Sequence, residues 1–130
     1  MIVIKDVLNK GKGVFASSFI KRNSVVYESC RLHIPKDVLL AILKLNSFKE
    51  NQKLISWGWA CDANTFIAVQ GVEGFINHSD DPNCDDGVAI RDIQPGEEIT
   101  ENYHMYDIQE PWYVELTREY NVWIPQKLKC

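Results

Sequence analysis

Apolar and β-branched residues alternate or gather in short runs at Ile2–Ile4, Val14–Ala16, Val25–Tyr27, Phe66–Val69 and Val88–Ile90, each close to Gly, Asn or Asp. The pattern predicts short strands joined by turns. The period changes after Pro35, where Val38, Leu39, Ile42 and Leu45 recur at helical spacing and the proline suits a first helical turn. An amphipathic helix is therefore predicted over about 35–45. A second helix is predicted after Pro111, with Trp112, Tyr113, Leu116 and Tyr120 on one face and Glu110 near the positive end of the dipole. No repeat, linker composition or domain boundary interrupts the chain. The expected architecture is mostly β with minor helix, its connections short and its core single.

Composition narrows the function classes. The chain has 130 residues, 18 acidic and 14 basic side chains and a net charge of −4. That balance argues against direct nucleic-acid binding, whose affinity comes largely from phosphate neutralisation by Lys and Arg. A chain of this length buries roughly two thirds of its unfolded surface and needs neither a disulfide nor a metal to hold a core. No run approaches the roughly 18 apolar residues of a membrane helix, so an intracellular, soluble protein without a membrane partner is expected. The cysteines at 30, 61, 84 and 130 include no C-x-x-C pair, which predicts no metal site and reduced, mostly buried thiols.

Three segments carry candidate chemistry. In Lys10-Gly11-Lys12-Gly13-Val14-Phe15-Ala16, two glycines precede an apolar strand; this is either a plain hairpin turn or a place where backbone approaches a ligand closely. In Gly74-Phe75-Ile76-Asn77-His78-Ser79-Asp80-Asp81-Pro82-Asn83, an apolar pair delivers Asn, His and Ser, whose donors and acceptors suit a heteroaromatic ring or an amino acid group. The same stretch imitates a calcium loop through Asp81, Asn83, Asp85 and Asp92, but Gly87 falls one place late and the last ligand is Asp rather than Glu. In Ile93-Gln94-Pro95-Gly96-Glu97-Glu98-Ile99-Thr100-Glu101-Asn102-Tyr103, a Pro-Gly turn enters a strand whose alternation places Ile99, Glu101 and Tyr103 on one face.

Taken in this order, GKGVFA, FINHSDDPN and IRDIQPGEEITENY resemble the SET-domain protein lysine methyltransferases, most closely the minimal viral and bacterial members without pre-SET and post-SET regions. The resemblance implies a SET-domain fold of short β-sheets around a pseudoknot-like C-terminal segment. It places the domain over 1–106 with a helical insert at about 35–55, and an aromatic segment, 107–130, packing on it. It further implies an S-adenosylmethionine-dependent lysine N-methyltransferase. By the same resemblance Gly11, Lys12 and Gly13 would hold the amino acid end of the cofactor, Asn77 and His78 its amino acid and adenine parts, and Tyr103 would stand at the methyl-transfer point.

Two departures shape the expectations. Asp80 stands where many relatives carry a zinc-binding Cys, so another segment must close the lysine channel; Tyr106, Trp112, Tyr113 and Trp123 are the available aromatics. A second tyrosine of the family is not matched, because Val26-Tyr27-Glu28-Ser29-Cys30 has Ser29 at that place and Tyr27 two places early. A SET-fold binding module without turnover is therefore the alternative. Asp80, Asp81, Asp85, Asp86, Asp92, Glu97, Glu98 and Glu101 face a single base, Arg91, across that stretch. The charge fits a basic protein or peptide partner such as a histone tail, which would place the protein on nuclear chromatin, and equally fits a solvated acidic face. Small relatives in which a second subunit completes the site make a homodimer a further expectation.

Overall fold

The alternation at the start of the chain folds into an antiparallel hairpin, with Ile2 opposite Ala16 and Val7 opposite Gly11. In the computed structural model, which describes residues 1–9, 11–60, 62–103 and 110–122, the elements in chain order are β1 (Ile2–Val7), β2 (Gly11–Ala16), β3 (Cys30–Pro35), α1 (Lys36–Leu45), α2 (Phe48–Ser56), β4 (Gly58–Ala60), β5 (Thr65–Gln70), a 3-10 turn (Gly71–Phe75), β6 (Asn77–His78), β7 (Cys84–Asp85), β8 (Val88–Ala89), β9 (Glu98–Glu101) and α3 (Pro111–Glu119). The fold is mostly strand with minor helix, as the SET resemblance implies. No described helix is long and apolar enough to cross a membrane.

The chain divides into two compact units, one made of Met1–Cys30 with Gln70–Tyr103, the other of Arg31–Val69 with the segment after Tyr103. Correspondingly, the buried side chains form two clusters rather than the single core expected from the sequence.

In the first unit a four-stranded sheet runs β1-β2-β9-β6. β9 lies antiparallel to β2, with Val14 opposite Ile99, and parallel to β6, with Asn77 opposite Thr100 and His78 opposite Glu101. Val14, Ile76, Cys84, Ile93 and Ile99 fill the core beneath it. β7 and β8 form a hairpin whose two central residues, Asp86 and Gly87, both have positive φ, the signature of an Asp-Gly type I′ turn. Gln94-Pro95-Gly96-Glu97 makes the expected Pro-Gly turn, with Glu97 N–H donating to Gln94 O at 3.1 Å and Gly96 at φ 88°.

Val25–Tyr27 is not the predicted strand. Val25 makes one antiparallel bridge to Val88, and the N–H groups of Val26 and Tyr27 both turn to Gly87 O, at 2.7 and 3.4 Å. The partner here is a tight turn, which offers one carbonyl where a strand would offer a ladder. A Cβ on Gly87 would lie 2.4 Å from Tyr27 O, so glycine is needed for the approach as well as for the φ.

The second unit holds the sheet β3-β5-β4 and, among the described residues, the helices α1, α2 and α3. α1 spans the predicted range, with Pro35 as its N-cap rather than inside it and Leu39 and Leu43 buried. Periodicity predicts no second helix here, because the run of α2, Phe-Lys-Glu-Asn-Gln-Lys-Leu-Ile-Ser, is mostly polar, although the helical insert that the resemblance implies at about 35–55 covers most of it. Its start was legible all the same. Ser47 and Glu50 form a reciprocal capping box, with Ser47 Oγ accepting from Glu50 N–H at 3.2 Å and Glu50 Oε1 accepting from Ser47 N–H at 3.1 Å. α3 buries Tyr113, Leu116 and Thr117, a face rotated slightly from the predicted one. The Tyr113 hydroxyl lies 2.9 Å from Ile55 O and 2.7 Å from Gly58 O, so one proton is shared between two carbonyls deep in the cluster. Of the cysteines described, Cys84 is buried and Cys30 exposed, which corrects the expectation of burial for the latter.

Candidate active site

All three motifs of the sequence lie in the first unit, and β9 joins them. Its insertion between β2 and β6 places the Gly-Lys-Gly segment on one side and Asn77-His78 on the other. Asn77 ties the strands together: its Nδ2 donates to Lys12 O at 3.1 Å and to Glu98 Oε2 at 2.7 Å. Both partners are acceptors, so the amide nitrogen must face them, and Oδ1 is left as the acceptor for an outside donor. Gly13 lies directly against this bridge. A Cβ there would stand 2.8 Å from Glu98 Oε2, 2.8 Å from Val7 Cγ2 and 3.1 Å from Asn77 Nδ2. Gly11 has φ 78° and nothing within 4 Å of a Cβ position, so the backbone at the start of β2 borders open space. Gly-Lys-Gly is thus both a strand end and a place of close backbone approach. Lys12 contributes its carbonyl, since its Nζ is bonded to Asp6 Oδ1 at 2.8 Å on the surface.

His78 and Tyr103 form the second half of the site. Tyr103 N–H donates to His78 Nδ1 at 3.0 Å, so Nδ1 carries no proton, and His78 Nε2–H donates to Asp80 Oδ1 at 2.9 Å. These two bonds fix the neutral Nε2–H tautomer. The two rings pack with centroids 5.2 Å apart. The Tyr103 hydroxyl donates to Ile76 O. Burial first, then the charges of Glu101 and Glu98, push that hydroxyl up to about 12, so it stays protonated at neutral pH.

Sequence reading missed the roles of three residues. Asn83, given there only as the end of the Asn-His-Ser motif and as a calcium-loop position, is 2% exposed and clasps β9: Nδ2 donates to Glu98 O at 2.8 Å, and Oδ1 accepts from Thr100 N–H at 2.9 Å. Of the other residues in that imitation loop, Asp92 accepts from Arg22 N–H at 2.8 Å. Glu101, 4% exposed, accepts from Tyr27 O–H at 2.5 Å and from Gly87 N–H at 3.3 Å through one oxygen, Oε2. Burial, reinforced by this carboxylate, pushes the Tyr27 hydroxyl and the Cys84 thiol well above their ordinary ranges. A signal for this cluster existed in the sequence. The alternation that puts Ile99 in the core also puts Glu101 there, and a buried carboxylate requires donors.

Of the aromatics proposed for the lysine channel, Trp112 belongs to the second unit, where Nε1–H donates to Asp62 O at 3.0 Å and Lys36 Nζ stands 5.1 Å from its ring centroid. Tyr106 and Trp123 lie outside the described residues.

A family model for the SET domain matches residues 11–104. No curated protein matches the chain in sequence. Among solved structures, a Plasmodium falciparum protein assigned as a histone methyltransferase superposes with a TM-score of 0.55 at 22% identity, over 78% of this chain and 91% of that one. An active polycomb repressive complex 2 in its basal state superposes with a TM-score of 0.58 at 22% identity, over 79% of this chain. A second structure of such a complex gives 0.60 at 20% identity. This chain spans 15% and 14% of those two longer chains. At these identities the likeness is one of fold.

Proposed function

The chain belongs to the SET-domain family, and we propose that it is an S-adenosylmethionine-dependent methyltransferase acting on lysine side chains of a basic protein or peptide. The observation that carries this reading is the insertion of β9, which assembles Gly-Lys-Gly, Asn77-His78 and Tyr103 in one unit. The residues suit the cofactor. Open space beside Gly11, a backbone that Gly13 keeps low and the free acceptor of Asn77 fit an amino acid group with its ammonium. The neutral His78 ring offers an apolar face for adenine.

When bound, the cofactor supplies an electrophilic sulfonium methyl; the rest of the reaction is a matter of positioning. The proton of Tyr103 is committed to Ile76 O, so its oxygen presents lone pairs. Those lone pairs can accept from an incoming amine or make C–H···O contacts to a polarised methyl. A lysine amine must be neutral to attack, although its ordinary pKa is near 10.4. Loss of water around it, together with a neighbouring positive sulfur, favours the neutral form. His78 holds the backbone of Tyr103 and Asn77 holds β2 to β9, so each part of the site is braced by another. Asp80, Asp81, Asp86 and Asp92 are exposed and would draw Lys- and Arg-rich segments such as histone tails toward this unit.

Gly13→Ala tests the cofactor site. The added methyl has no room unless Val7 or the Asn77–Glu98 bridge moves. Affinity for S-adenosylhomocysteine, read by isothermal titration, is expected to fall by about tenfold or more, with a thermal shift of only a few degrees. An unchanged affinity would remove the Gly-Lys-Gly backbone from the site. Titration of the parent protein with S-adenosylmethionine checks the reading as a whole: saturable binding supports it, and no binding at millimolar cofactor counts against it. The rival reading, a SET-fold binding module, draws on Tyr27, whose hydroxyl turns inward to Glu101. Binding of cofactor and basic peptide without transfer would favour that rival.

A further inference from the structure

Glu101 is a carboxylate on the inward face of β9, two residues before Tyr103, and burial of a charge is costly unless donors compensate it. The donors are built into the fold. Tyr27 O–H comes from the segment fastened to the Asp86–Gly87 turn, and Gly87 N–H comes from the turn itself. Both point at Oε2, so the type I′ turn, the close approach of Tyr27 to Gly87 and the 2.5 Å hydrogen bond all serve one oxygen. Such an arrangement maintains a localised charge in a site of low dielectric, where it acts strongly on its surroundings. The hydroxyl of Tyr103 already feels it, more than it feels Glu98. Glu73 and Asp85 add charge of the same sign to this cluster through Tyr27 and Cys84.

Resting on the methyltransferase reading, we propose that Glu101 is a substrate-positioning residue, whose buried carboxylate, held by Tyr27 and Gly87, selects a cationic amine at the Tyr103 end of the site. A lysine amine arrives as an ammonium, gives up one proton to water, and then attacks. As the N–C bond forms and the S–C bond breaks, it becomes a methylated ammonium and S-adenosylhomocysteine is the leaving group. During transfer, positive charge moves from sulfur onto nitrogen. A negative charge on the Tyr103 side favours the state with the charge on nitrogen, which is stabilisation specific to the reaction coordinate. Tyr27 thereby gains a role although it does not occupy the place of the family's second tyrosine: its hydroxyl anchors the carboxylate.

Glu101→Gln keeps the shape and an acceptor for both donors but removes the charge. With S-adenosylhomocysteine bound, affinities for a basic lysine peptide and for the same peptide with norleucine at the target position are compared in parent and variant. The neutral isostere separates charge from fold. The expected result is a loss of about tenfold in lysine affinity with norleucine affinity held within twofold, and S-adenosylhomocysteine affinity unchanged. A lysine-over-norleucine preference that does not move in Glu101→Gln overturns the proposal. If Glu101→Gln does not fold, Tyr27→Phe decides: loss of the donor unfastens the carboxylate and disfavours its charged form, so the preference for lysine should fall, and a rise or no change overturns the proposal. Methyl transfer by the parent, measured in the same preparation, keeps the two readings distinguishable. Transfer with an unmoved preference removes Glu101 alone, whereas neither cofactor binding nor transfer by the parent overturns both.

Discussion

Tyr103→Phe is expected to lower the rate of methyl transfer by about two to three orders of magnitude while leaving affinity for S-adenosylhomocysteine within a few-fold. Removing a preorganised oxygen at the reacting atoms costs on this scale in other enzymes, because the interaction is stronger in the transition state than in the ground state. The ring survives in phenylalanine, so the packing against His78 and the backbone bond from Tyr103 N–H to His78 Nδ1 are retained. What disappears is the hydroxyl, held by Ile76 O and protonated at neutral pH because burial and the charges of Glu101 and Glu98 raise it to about 12. Loss of a partner for Ile76 O adds a destabilisation of about 1–3 kcal/mol. Turnover must therefore be measured well below the melting temperature. Equal losses in kcat and kcat/KM identify a contact made in the transition state. Unaltered transfer would remove Tyr103 from the reaction.

Asn83→Ala is expected to be the most damaging single change to stability in the first unit. The side chain is buried, and its amide satisfies both Glu98 O and Thr100 N–H of β9. Alanine leaves a donor and an acceptor of the central strand without their side-chain partners where the strand is half-buried. At about 1–3 kcal/mol for each stranded group, with a cavity in addition, the loss is about 4 kcal/mol, or roughly 15 °C in melting temperature. Asp81→Ala, in the same turn but exposed, should remain within about 0.5 kcal/mol of the parent. Denaturant melts of the two variants compare them directly. Equal effects would mean that Asn83 does not carry the join between turn and strand. Because β9 also positions Tyr103, Asn83→Ala should weaken cofactor binding as it weakens the fold.

How far the sequence could be read depended on the kind of signal each element carries. The hairpin of β1 and β2, the strand β5 and the helix α1 announce themselves by local periodicity, and each was anticipated. The Gly-Lys-Gly, Asn77-His78 and Tyr103 segments were recognised by their order in the chain, and the structure brings those three together in one unit. What local pattern could not supply was the set of long-range partners. Val25–Tyr27 has the composition of a strand, but the backbone opposite it is the turn at Gly87. Asn83 reads as a turn residue until β9, fifteen or more positions later, is seen to need its amide. Glu101 reads as one acid among eight until its neighbours in space are known. The second core around Leu39, Ile55, Phe66 and Tyr113 likewise arises from segments that lie far apart in the chain.

The central claim is methyl transfer at Tyr103, and transfer of a labelled methyl from S-adenosylmethionine to core histones and Lys-rich peptides tests it most directly. Parent protein and Tyr103→Phe would be run side by side, with the modified residue located by mass spectrometry. The expected result is label on lysine side chains of the basic substrate with the parent, and a signal lower by about two orders of magnitude with the variant. Saturable cofactor binding with no label on any lysine, or equal labelling by Tyr103→Phe, would contradict the account.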